Sequence, residues 1–80
     1  MKHREWLGNK NLILELLKKA NLDGEELGMQ KKAMRNIILY KYLNFMTVDE
    51  TLAVLAYKHE IYIGERTYYR LLNKALDLME

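Results

Sequence analysis

Five side chains toward the end of the sequence carry the chemistry of nucleic-acid recognition: Arg66, Tyr69, Arg70, Asn73 and Lys74. Arginine and lysine donate to guanine edges, asparagine pairs with adenine, and hydroxyl groups contact phosphate. Counted at about 100° per residue, Arg66, Tyr69, Arg70, Asn73, Lys74 and Asp77 fall on one side of a helix. Asp77, at the far end, is the one acid in that stripe. Tyr68, Leu71, Leu72, Ala75, Leu76 and Met79 fall on the other side and form its apolar half. Between Lys58 and Lys74 four bases (Lys58, Arg66, Arg70, Lys74) stand against two acids (Glu60, Glu65). Lys41, Lys58 and His59 are the candidate phosphate contacts, His59 adding charge when protonated. An ordinary solvated helix face has much the same composition, so the elements around this one must separate the two readings.

Other chemistries find little support. The chain has neither cysteine nor serine, which removes thiolate ligands, disulfides and both of those nucleophiles. His3 and His59 are far apart and lack the companion residues of a metal site. The run Gly24-Glu25-Glu26-Leu27-Gly28 is not followed by the Lys-Ser/Thr of a phosphate loop. The paired acids Glu25-Glu26 and Asp49-Glu50 sit at helix starts, where the dipole accounts for them. Neither an enzyme nor a bound cofactor is expected.

The elements that position the basic face follow from periodicity. Eighty residues, half of them hydrophobic and 30% charged, form one domain with a single core. Net charge is only +2, with an isoelectric point near 8.9, so the bulk balance permits nucleic-acid binding without requiring it. No proline occurs, and glycine only at positions 8, 24, 28 and 64. Leu12, Ile13, Leu16 and Leu17 predict a first helix over 9–20, ending at the Asn21-Leu22-Asp23-Gly24 turn. That stripe, with Trp6, reads as packing against the second helix; a homodimer or partner surface is the alternative. The second helix is expected over 25–43 with Leu27, Met34, Ile37 and Ile38 inward, although Gly28 weakens its first turns. Thr47-Val48-Asp49-Glu50 has the form of a capping box and opens a third helix to about Tyr57, burying Val48, Leu52 and Leu55. Lys58 to Ile63 reads as a turn, with Ile61 or Ile63 plugged into the core, and Gly64 caps a last helix over 65–79. The result is an all-α, four-helix domain: N-terminal helices over 9–43, then a helix-turn-helix over 47–79. No apolar run approaches a membrane span or a signal peptide, so a cytoplasmic protein is expected.

Several of these segments resemble the C-terminal region of the ArpU/RinA group of phage late-transcription regulators. The resemblance rests on Tyr40-Lys41-Tyr42-Leu43, on Thr47-Val48-Asp49-Glu50, and above all on the run from Ile63 to Leu76. Its most specific part is Gly64-Glu65-Arg66-Thr67-Tyr68-Tyr69-Arg70, where such proteins often carry serine at the cap. It covers about Arg35 to Met79. The resemblance implies a fold like the sigma-factor region that reads the −35 element. It also implies a bacterial host cell, double-stranded DNA as partner, and DNA contacts from Arg66, Thr67, Tyr69, Arg70, Asn73 and Lys74. Two departures stand out. The connection between Leu55 and Gly64 is longer than in a tight sigma-like motif, and the longer N-terminal region of the group is missing. The alternative is a module of the same fold that binds RNA polymerase or another regulator.

Overall fold

The last helix organises the molecule. In a computed structural model describing residues 5–80, α1 (Lys10–Lys19), α2 (Met29–Ile38), α3 (Val48–His59) and α4 (Glu65–Met79) surround one core, and no strand occurs among the described residues. His3 lies outside the described residues. α4 packs most extensively along α2, with α1 and α3 against its other sides. Every apolar residue predicted for its inner face is buried: Tyr68, Leu71, Leu72, Ala75, Leu76 and Met79. Opposite them lie Ile13, Leu17, Leu22, Ala33, Met34, Ile37, Ile38, Leu55 and Ile61.

α1 follows a 3-10 turn at Glu5–Gly8 and is capped by Asn9, whose side-chain oxygen accepts from the Leu12 amide at 3.0 Å. Its Ile13 and Leu17 are buried, and Trp6 and Leu16 pack at the edge of the core. Ile13, Leu16 and Leu17 of the stripe therefore belong to the core, in one cluster with residues of α2 and α4. Asn21 stops the helix in the left-handed region, at φ 60°. The Leu22 amide then donates to the Leu17 carbonyl at 2.9 Å, which draws the Leu22 side chain fully inside.

α2 starts later than expected. Gly28 is its N-cap and Glu25 and Glu26 lie in the preceding loop, because that short glycine-bounded acidic run has no apolar face to bury. At its other end the helix widens into a π turn over Leu39–Leu43, with the Asn44 amide donating to the Leu39 carbonyl at 3.2 Å. Phe45, at φ 54°, then reverses the chain with its ring 85% exposed.

The capping box on α3 is complete. Glu50 N–H donates to Thr47 Oγ1 at 3.2 Å, and Thr47 N–H donates to Glu50 Oε1 at 2.9 Å. The Thr47 backbone N–H first, and the Thr47 hydroxyl second, lower the Glu50 carboxyl from its ordinary value. Leu55 and Thr51 are buried, whereas Val48 and Leu52 are only half-buried. The Thr51 hydroxyl is satisfied by donating to the Thr47 carbonyl at 2.8 Å.

α3 also runs two residues beyond the expected end, to His59. Glu60 ends it in the left-handed region at φ 56°, and the Ile61 amide donates to the Leu55 carbonyl at 2.9 Å. Ile61 is thereby inserted into the core, with Ile63 packed at its edge. The connection to α4 is thus Glu60–Gly64, shorter than the lengthened turn inferred from the sequence.

Candidate nucleic-acid interface

The exposed half of α4 matches the stripe derived from periodicity. Arg66, Tyr69, Arg70, Asn73, Lys74 and Asp77 are all exposed, because each lies across the helix axis from the buried row. A helix of this length spans about 22 Å, and its polar face is continuous along it. Gly64 caps the helix with its backbone alone, at φ −91° and ψ 176°, so no side chain covers the first amides.

Tyr69 is not loosely placed. Its ring sits edge-on to the buried Tyr68 ring at 5.1 Å between centroids and 88° between planes, leaving it 44% exposed. The Tyr68 hydroxyl is buried and makes no hydrogen bond. Burial first, then Tyr69 and Tyr42 nearby, pushes its phenol up, while the Thr51 hydroxyl offsets part of the rise without meeting it as a hydrogen bond.

Thr67 differs from the other five. It is half-buried and turned toward α2, lining a shallow groove of about 400 Å3 with Met29, Gln30, Ala33, Ile63 and Arg70. Arg70 therefore stands where the exposed face of α4 meets the start of α2. Met29, at the mouth of that groove, is 70% exposed.

The three candidate phosphate contacts separate. Lys58 is exposed in the last turn of α3. Lys41 is half-buried, its ammonium 5.6 Å from the centre of the Tyr42 ring. His59 is half-buried, and its Nε2 lies 2.7 Å from the Tyr40 hydroxyl, which ties the π turn to the end of α3. Burial, and then Lys32, Lys58 and Arg35, lower the His59 pKa, which favours the neutral ring near pH 7, hydrogen-bonded through Nε2 to the Tyr40 hydroxyl. The expected added charge on His59 is disfavoured at that pH, first by its burial and then by the nearby cations.

Lys32 and Arg35, which the sequence alone did not single out as site residues, are half-buried on α2. Arg35 Nη1 donates to the Gly24 carbonyl at 2.8 Å, holding the loop before α2. Lys32, Asn36 and Tyr40 follow one another at helical spacing, and the Asn36 side chain donates to the Lys32 carbonyl at 2.9 Å. That spacing was the available signal for placing Lys32 on the same side as Tyr40.

Fold and site together define a small all-helical chain with one basic, exposed helix face. Comparison with protein-family models, with curated proteins and with solved structures finds no match to any of them. Among the described residues no group of histidines and acids is arranged to hold a metal ion, and no helix is long and apolar enough to cross a membrane.

Proposed function

We propose that this chain is a sequence-specific DNA-binding regulator in which α3, the Glu60–Gly64 turn and α4 act as a helix-turn-helix, with α4 in the major groove. One observation carries the reading: α4 is anchored along one full side, while the other presents Arg66, Tyr69, Arg70, Asn73 and Lys74 as a single exposed row. A helix fits the major groove, and the N-terminal part of a recognition helix is the part that meets base edges. Arg66, Tyr69 and Arg70 occupy that part. The shortness of the connection supports the docking, since a long loop would leave α4 free to tilt away. Thr67 supports the groove between α2 and α4, and Lys58 is the candidate phosphate contact that stands clear of the core. Resemblance to the ArpU/RinA group makes late-gene control in a phage or mobile element the biological setting.

The test is a mobility-shift titration against the DNA flanking the gene, at two salt concentrations, with the Arg66→Ala/Arg70→Ala double variant alongside. Specific binding should weaken steeply with salt as counterions are released, by about 0.9 in logarithmic slope per phosphate contact. Arg70→Ala alone should cost about 1–3 kcal/mol of specific affinity if Arg70 reads a base. A folded protein that gives no shift, or a double variant that binds like the parent, refutes the assignment.

A further inference from the structure

α3 is apolar on more than its inner face. Its buried side is made by Thr51 and Leu55, yet its outward side carries Ala53, Val54 and Tyr57, and the Tyr57 ring is 93% exposed. A helix with apolar residues on both sides and a core on only one has a face left to cover. That face is concave. Ala53 and Val54 form its floor, Tyr40 and Tyr57 its aromatic sides and Lys58 its edge, around a volume of about 650 Å3.

The charge beside this groove is mostly positive, with Glu60 at the C-cap of α3 as the acid next to it in the chain. Tyr40 hydrogen-bonds His59, and the charges acting on His59 come from Lys32, Lys58 and Arg35. The acids of the same helix, Asp49 and Glu50, lie in its first turn, away from the groove-forming second half. We propose that the groove formed by Tyr40, Ala53, Val54, Tyr57 and Lys58 docks an acidic amphipathic helix of another protein. Its apolar residues at three- and four-residue spacing would lie on Val54 between the two tyrosines, and its carboxylates would meet Lys58, with Lys32 and Arg35 supplying a wider field. A second copy of this chain fits less well, because a two-fold contact would bring Lys58 and its cationic neighbours against their own counterparts. Duplex DNA fits less well too, since an aliphatic floor has no donors for phosphate.

The proposal does not rest on DNA binding by α4. Its test uses the full chain and a synthetic helical peptide with leucines on one face and glutamates on the other, beside a counterpart with lysine replacing every glutamate. Fluorescence anisotropy should give the acidic peptide a Kd of about 10 μM at low salt, and the lysine peptide at least about tenfold weaker binding. Amide shifts in nitrogen-15 spectra should fall at Ala53, Val54, Tyr57 and Lys58 and leave Arg66 and Arg70 in place. Tyr57→Ala, at a site too exposed to disturb folding, should weaken binding at least about tenfold, as should Val54→Glu with helicity checked by circular dichroism. The proposal is overturned by equal binding of the two peptides or by no saturable binding of the acidic one. Self-association abolished by Tyr57→Glu would assign the groove to a second copy, and shifts at Ala53, Val54 and Tyr57 on adding duplex DNA would assign it to nucleic acid, a shift at Lys58 alone being what a phosphate contact there produces; either of the first two results overturns the proposal.

Discussion

Tyr68→Phe should make the protein more stable. The Tyr68 side chain is fully buried, and its hydroxyl finds no hydrogen-bond partner. A hydroxyl moved from water into that position without a partner costs about 1–3 kcal/mol. Removing one oxygen leaves a void of about 10 Å3, which subtracts only about 0.2–0.3 kcal/mol. The ring itself, with its edge contact to Tyr69, is retained. The expected gain is therefore about 1 kcal/mol or more, seen as a Tm rise of about 4–8 °C per kcal/mol for a domain of this size. Urea titration should show a higher midpoint at an unchanged slope, since the surface exposed on unfolding is nearly the same. The reasoning fails if Tyr68→Phe lowers stability by about 0.5 kcal/mol or more. A double cycle with Thr51→Val would then locate the error, because strong coupling would mean that the two hydroxyls are bonded after all.

Other perturbations probe the helix ends and the His59 cluster. Thr47→Ala removes the hydroxyl that accepts from the Glu50 amide, while the residue 47 N–H can still donate to the Glu50 carboxylate, and should cost about 1 kcal/mol by denaturant titration. Glu60→Gly relieves about 1–2 kcal/mol of left-handed strain and gives back about 0.5–1 in unfolded-chain entropy, so thermal melts should show a net gain of about 0.5–1 kcal/mol. His59 has a folded pKa below that of the unfolded chain, near 6.5, so the unfolded state holds its proton to higher pH. Its contribution to stability is then complete above about pH 6.5 and is lost as pH falls through the lower folded value. Urea midpoints at about pH 7.5 and pH 5 should differ more for the parent than for His59→Gln, which carries no titrating ring; equal differences would contradict the assignment.

The parts of the fold legible in the sequence are those written into local spacing. The two faces of α4 follow from a row of apolar residues three and four apart, and the start of α3 from the Thr47 and Glu50 side chains. The start of α2 was misplaced because Glu25 and Glu26 resemble a helical first turn, while only the packing of Ala33 and Met34 rewards helix further on. The end of α3 was misplaced because Ile61-Tyr62-Ile63 dominates its neighbourhood in composition. What extends the helix is a contact between Tyr40 and His59, nineteen residues apart, which no short pattern encodes. Still wider separations in the chain hid the grouping of Lys32 and Arg35 near His59. Thr51, a buried polar residue whose hydroxyl donates to the Thr47 carbonyl one turn earlier, was equally invisible to an apolar count.

α4 supplies Tyr68, Leu71, Leu72, Ala75, Leu76 and Met79, six of the fifteen buried apolar residues among those described. During translation, a nascent chain whose α4 is still inside the ribosome lacks that whole wall, and α1, α2 and α3 have only one another to collapse on. The exposed basic row and the interior therefore come into being in one event, and cellular proteases meet either the finished protein or one with no settled interior. A mutation that loosens the inside of α4 should then be read in the cell as lowered abundance as well as altered binding.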